Sequence, residues 1–126
     1  MNYDEQCSIC GAYGVELHHI QFRSQVPTLK DCPLNHIYLC PQHHRDGRVG
    51  VHFNKALDKK LKLKFQNKLE ILWDKKYLSR QDVQAVLRVK DKQLNKLLKT
   101  VDMKNGEYER ESLIRVCCGG RLLDNV

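Results

Sequence analysis

The sequence predicts an α+β fold, and three observations carry that prediction. Two pairs of Cys/His residues at two-residue spacing, Cys7 with Cys10 and Cys40 with His43, bracket the first part of the chain. Residues 15–20 alternate as a short strand does, and residues 36–40 follow as its partner. Beyond them Leu57, Leu61, Phe65, Leu69, Leu72 and Trp73 recur mostly at the three- or four-residue spacing of a helix. The expected organisation is a small metal-stapled core over 1–54, a basic amphipathic helix over 55–77, and a mostly helical part over 78–126.

The staple comes first. Cys7-x2-Cys10 brings two thiolates within reach of one tetrahedral zinc, and Ser8, Ile9 and Gly11 let the chain turn back as a knuckle. Cys40-Pro41-Gln42-His43 repeats the spacing with imidazole as the fourth ligand, a set usual for structural zinc. No signal peptide precedes these residues, so a reduced, cytoplasmic setting is expected, where such spacing favours metal over disulfides. A core of about 50 residues buries little apolar surface, so a zinc staple is expected on stability grounds as well. Cys32, Cys117 and Cys118 fall outside the pattern and receive no role.

Residues 15–20 contain the adjacent pair His18-His19. Successive strand residues point to opposite faces, so the two imidazoles address different sides. Hydrolysis of a phosphodiester needs a general base for water, a cation to stabilise developing negative charge, and a group that orients the base. The order His19, Asn35, His44, set among the staple residues over roughly 5–54, resembles the zinc-stapled HNH endonucleases of phage or prophage type.

That resemblance implies a ββα-metal core in which His18 binds the catalytic metal and His19 is the general base. Asn35 precedes His36-Ile37-Tyr38-Leu39-Cys40, which looks like the family's Asn-Leu-x-x-Leu-Cys segment. The matching Asn holds the loop between the two strands and orients the base, and its amide can donate and accept at once. His36 occupies the family's apolar slot and is expected to be a packing residue.

His43 and His44 stand about 100° apart at a helix start. His43 can therefore close the staple while His44 reaches the catalytic metal. Gly50-Val51-His52 is similar to a stretch of the phage-type proteins, which makes His52 a further ligand, and Asp46-Gly47 and Gly50 supply the turn between. The catalytic cation is left open among Mg²⁺, Mn²⁺, Ni²⁺ and Zn²⁺, an all-histidine set being less typical for Mg²⁺. All six histidines lie between positions 18 and 52, and five fall on matched positions.

Charge is uneven along the 126 residues. Residues 1–54 carry 4 Lys/Arg against 5 Asp/Glu, and residues 55–126 carry 18 against 10. The positive excess thus lies outside the catalytic segment, as expected if the C-terminal part grips a polyanion that the N-terminal part cuts. A lysine-rich face can also be a merely soluble one. The helix expected over 55–76 carries Lys55, Lys59, Lys60, Lys62, Lys64 and Lys68 off its apolar stripe.

Ser79-Arg80-Gln81-Asp82 reads as a capping-box helix start, and Val83, Val86 and Leu87 form the stripe of a short helix. A break at 88–91 leads to a second helix over 91–99 with Leu94, Leu97 and Leu98. Asn105-Gly106 signals a tight turn, Tyr108 a strand end, and 111–117 a helix stopped by Gly119-Gly120. This order over about 78–118 resembles the winged helix-turn-helix modules of excisionases and MerR-like regulators. The resemblance implies that Lys92, Gln93, Asn95, Lys96 and Lys99 face the major groove from a recognition helix. A plain helical hairpin that covers the core or mediates dimerisation is the other reading.

Two functions compete. The first is a metal-dependent HNH endonuclease acting on double-stranded or branched DNA, in recombination or DNA processing of a phage or mobile element in a bacterial cell. A monomer would nick and a homodimer could cut both strands. The second is a non-catalytic zinc-stapled DNA-binding regulator, which has no need of His19 beside a ligand or of Asn35. No run of 18 or more apolar residues exists, so no membrane partner is expected.

Overall fold

A computed structural model describes residues 2–124. The fold is α+β: among the described residues, five helices accompany two three-stranded antiparallel sheets. The first sheet holds β1 (Asn2–Gln6), β2 (Tyr13–His19) and β3 (His36–Leu39) in the order β1-β2-β3. β1 is absent from the sequence-based expectation, because Asn-Tyr-Asp-Glu-Gln has no apolar alternation and forms a strand only by pairing with β2.

The register of β2 and β3 sets the site. His18 lies opposite Ile37, and His19 lies opposite His36. The connection between them folds into two 3-10 turns, Pro27–Leu29 and Pro33–Asn35, each opened by a proline whose fixed φ suits that position. Asn35 is fully buried at the end of the second turn. Its Oδ1 accepts from Gln21 N at 2.6 Å, and its Nδ2 donates to the carbonyls of Gln21 and Leu29, both at 3.1 Å.

Helix α1 (Pro41–Arg45) follows β3 directly, with Cys40 as its extended N-cap and Pro41 in its first turn. The loop after it is tightly tied. The Asp46 carboxylate accepts from the backbone of Arg48 and Val49, and Val51 N donates to His43 O at 2.7 Å. Gly50 is required there, since a Cβ would meet Asp46 N at 2.5 Å and Arg45 N at 2.8 Å.

Helix α2 (Lys55–Leu72) starts at Asn54, whose side chain accepts from Leu57 N. It buries Leu61, Phe65, Gln66 and Leu69. It ends short of the expected residue 76, with Leu72 exposed and Trp73 buried at the cap. The Arg110 guanidinium explains the stop: it donates to the Glu70 carbonyl at 2.7 Å and to that of Trp73, satisfying acceptors the helix leaves free.

The C-terminal part runs β4 (Tyr77–Leu78), α3 (Arg80–Leu87), α4 (Asp91–Leu98), β5 (Met103–Lys104), β6 (Glu107–Glu109) and α5 (Arg110–Cys117). The capping box of α3 is complete, with Ser79 and Asp82 each bonding the other's backbone N–H. Arg88 ends α3 in the left-handed region, and α4 begins three residues later. Asn105 and Gly106 both have positive φ, the signature of the tight hairpin between β5 and β6. The second sheet has the order β4-β6-β5.

One apolar core joins these parts. It runs from Val15, Leu29 and Leu39 through Phe65, Leu69 and Trp73 to Leu87, Leu94, Leu113 and Cys117. Helix α4 packs on the Pro27–Leu29 turn, so the C-terminal helices buttress the β2–β3 loop. No helix among the described residues is long and apolar enough to cross a membrane.

Candidate functional site

Two groups of side chains converge with metal-ligand geometry. The first is Cys7, Cys10, Cys40 and His43. Cys10 Sγ lies 3.7 Å from Cys40 Sγ, and His43 Nδ1 lies 3.8 Å from Cys7 Sγ and 3.3 Å from Cys40 Sγ. A tetrahedral ion at zinc bond lengths of about 2.0–2.3 Å separates its ligand atoms by about 3.3–3.8 Å, so the group fits. The knuckle is closed by Gly11 N donating to Cys7 O, with Gly11 at φ 77°. Burial raises the Cys7 thiol, but backbone N–H groups at Cys40, Cys10 and Ile9 outweigh it and bring the thiol to about 6. It is therefore thiolate, the ligand form, at neutral pH. Cys32 lies outside this group, buried at the head of the second 3-10 turn.

The second group is His18, His44 and His52. β2 aims His18 inward, α1 supplies His44, and the tied 46–53 loop returns His52 to them. His44 Nε2 and His52 Nε2 are 3.1 Å apart, and the ring of His18 lies 5.1 Å and 4.9 Å from those of His44 and His52. His18 is 2% exposed and its Nε2 is buried without a partner. Such an orphan is costly unless something fills it, and a cation is the natural occupant among three ring nitrogens. Burial, reinforced by His52 and His44, pulls the His18 imidazole down to about 3. It is therefore neutral and able to ligate.

Glu16, which sequence reasoning missed, completes this group. Its Oε1 accepts from His44 Nδ1 at 3.0 Å and from Arg45 Nε at 2.9 Å. A carboxylate can only accept, so His44 carries its proton on Nδ1 and presents an Nε2 lone pair to the centre. The bond to His44 holds the Glu16 carboxyl below its usual range. Its signal was available: Glu16 stands two residues before His18 and so shares its strand face.

His19 faces a different environment. Its Nε2 donates to the Lys30 carbonyl at 2.9 Å, which fixes the tautomer and leaves Nδ1 as the free base. Burial lowers its basicity, and the Lys30 bond partly restores it. His36, expected as a packing residue, instead donates to the same carbonyl at 2.7 Å and stacks edge-on to His19 at 5.0 Å. The antiparallel register, which places the two residues opposite each other, is the reason. The Asn35 side chain bonds the backbone of Gln21 and Leu29 rather than the His19 ring, and so ties the loop that carries Lys30.

One cleft of about 520 Å³ exposes both arrangements, lined by His18, His19, Phe22, Arg23, His44 and His52. Elsewhere, α4 leaves Lys92, Asn95 and Lys96 exposed and Gln93 half-buried, while Lys99 caps the helix rather than lying within it. No family model, curated protein or solved structure matches this chain.

Proposed function

We propose that this chain is a metal-dependent HNH-type endonuclease with a zinc-stapled ββα-metal core. The observation that carries the reading is the back-to-back pair on β2. His18 faces two further imidazoles with an orphaned nitrogen, while His19, one residue on, is held as a neutral base in the same cleft.

In this reading zinc sits on Cys7, Cys10, Cys40 and His43, and a divalent cation sits on His18, His44 and His52. That cation would supply Lewis-acid stabilisation of the charge on the phosphate and the leaving 3′ oxygen. His19 Nδ1 takes the proton from the attacking water as its oxygen bonds to phosphorus and the P–O3′ bond breaks. The Lys30 carbonyl holds the imidazole and stabilises it once protonated, while Glu16 fixes the orientation of His44. Asn35 acts as a positioning residue through the Lys30 loop.

The grip on DNA falls to the C-terminal part. The paired helices α3 and α4 with the β5–β6 hairpin support reading it as a winged helix-turn-helix module, with Lys92, Gln93, Asn95, Lys96 and Lys99 toward DNA. Supercoiled plasmid incubated with the protein in Mg²⁺, Mn²⁺, Ni²⁺ or Zn²⁺ should be nicked with at least one of them, and His19→Ala should abolish nicking. Tight DNA binding without cleavage of duplex, single-stranded or branched DNA would instead leave a zinc-stapled DNA-binding regulator.

A further inference from the structure

Phe22 lines one cleft and touches Lys62, which lines a second. Its ring lines the histidine cleft, 5.9 Å from that of His18 and 5.4 Å from that of His52. Lys62 Nζ sits over the same ring at 4.0 Å and lines a neighbouring cleft of about 540 Å³. That second cleft also gathers Lys59, Arg121, Gln21 and Gln25, with Asp58 as the one carboxylate among the described residues.

Lys62 is unlike the other lysines of α2. Lys55, Lys59, Lys60, Lys64 and Lys68 are exposed, whereas the Lys62 side chain is only 18% exposed. Its ammonium is held 3.0 Å from Asp58 Oδ2 and against the face of Phe22. A lysine that served solubility alone would spread its side chain into water, at no loss of rotamer freedom. This one is fixed beside the histidine cleft, and it offsets Asp58, the carboxylate that the described residues bring to its own. Lys59 and Arg121 therefore leave the second cleft with a net positive lining.

We propose that Lys62, Lys59 and Arg121 bind the backbone phosphates of the DNA strand on one side of the cut. The inference rests on the reading that the histidine cleft holds the scissile phosphate, and it assigns the flanking grip to α2 and the C-terminal tail. The strand would pass Phe22 from one cleft to the other. Such contacts set position and polarity without reading sequence.

The test is DNA binding by the full-length zinc-loaded chain carrying His19→Ala, measured by fluorescence anisotropy on a 20-base-pair duplex across a KCl series. Each phosphate contact on duplex contributes about 0.9 to the slope of log K against log salt. Lys59→Ala with Arg121→Ala should lower that slope by about 1.8. Lys62→Met, which keeps the stem on Phe22, should lower it by about 0.9, and Lys62→Arg should restore it. Lys64→Ala with Lys68→Ala, on the same helix but lining a different groove, should leave it unchanged.

An unaltered slope in the Lys59/Arg121 variant would overturn the proposal, as would an equal fall in the Lys64/Lys68 control. Should Lys62→Met lose its zinc, the surface pair Lys59 and Arg121 decides the matter. Plasmid nicking by the wild-type chain is run in parallel. Slopes that respond without any nicking would sink the nuclease reading and leave the phosphate path standing; nicking with unresponsive slopes would sink the path alone.

Discussion

Replacing Asn35 with alanine should destabilise the protein by about 3 kcal/mol. The side chain is 0% exposed and satisfies one N–H and two carbonyls, those of Gln21 and Leu29, which are themselves 3% and 0% exposed. Truncation strands the Gln21 N–H and carbonyl, while the Leu29 carbonyl keeps its bond from Cys32 N, and each stranded buried group costs about 1–3 kcal/mol. The two together cost about 2–6 kcal/mol, water entering the vacated space offsets part of that, and about 3 kcal/mol is the expected loss, roughly a 150-fold change in the folding equilibrium. With a urea m-value of about 1–3 kcal/mol/M, the unfolding midpoint should fall by about 1–3 M. Circular dichroism and the fluorescence of Trp73, the sole tryptophan and 1% exposed, would follow it.

Asn35→Asp sharpens the test. It keeps the acceptor for Gln21 N but sets a carboxylate oxygen against two carbonyls. Burial and those carbonyls must raise its folded pKa above the unfolded value of about 3.9. A raised folded pKa makes the added stability present below the unfolded value and lost as pH rises through the folded one. The deficit relative to wild type should therefore be larger at pH 8 than at pH 5. An alanine midpoint within about 0.3 M of wild type, or an aspartate deficit independent of pH, would refute the view that Asn35 ties the loop.

Four further outcomes are expected. Glu16→Gln should weaken Mn²⁺ or Ni²⁺ binding at the three histidines by about 10–100-fold in calorimetry, with the zinc content of the staple unchanged. Gly50→Ala must move backbone at Asp46 and Arg45, costing about 1–3 kcal/mol in thermal unfolding and displacing His52 from the same calorimetric site. Cys40→Ser should lower bound zinc as measured by elemental analysis and make the first sheet, followed by hydrogen exchange, the least protected part of the chain. Ser79→Ala should cost about 1 kcal/mol. Its Asp82 partner, held below the usual carboxylate range by the Ser79 N–H and hydroxyl, contributes at neutral pH and loses that contribution as pH falls through its depressed folded value.

What the sequence revealed and what it hid divide along physical lines. Spacing motifs report ligand sets because a metal demands fixed residue types close in the chain, so the convergence of Cys7, Cys10, Cys40 and His43 was legible, whereas the grouping of His18, His44 and His52 was expected from the family resemblance alone. The period of α2 was legible, but its end was not, because Arg110 terminates it from 40 residues away in sequence. The Asn105-Gly106 turn and the strand end at Tyr108 were legible, but the short strands β4 and β5 carry no pattern of their own and exist through pairing. The Lys30 carbonyl was invisible for a simpler reason: a backbone acceptor leaves no trace in residue identity. Glu16 shares the strand face of His18, but its partner His44 lies 28 residues on and only α1 brings the two together.

Neighbouring residues in this site face different partners, and the division is set by backbone geometry. On β2 the two-residue period sends His18 to the imidazole trio and His19 to the Lys30 carbonyl. On α1 a turn of about 100° per residue sends His43 to the staple and His44 to the trio. A one-residue slip of β2 against β3 would exchange the faces of His18 and His19 and destroy both arrangements at once. Whatever fixes that register therefore holds both arrangements although it belongs to neither cluster of histidines. Here that means the staple, which anchors β1, β3 and α1 together, and Asn35, which locks Gln21 to Leu29. Loss of either should appear as a failure of metal binding at the trio before it appears as loss of the C-terminal helices. Those helices bring Leu87, Leu94, Leu97 and Leu113 to the shared core, and α4 packs on α5 as well as on the Pro27–Leu29 turn.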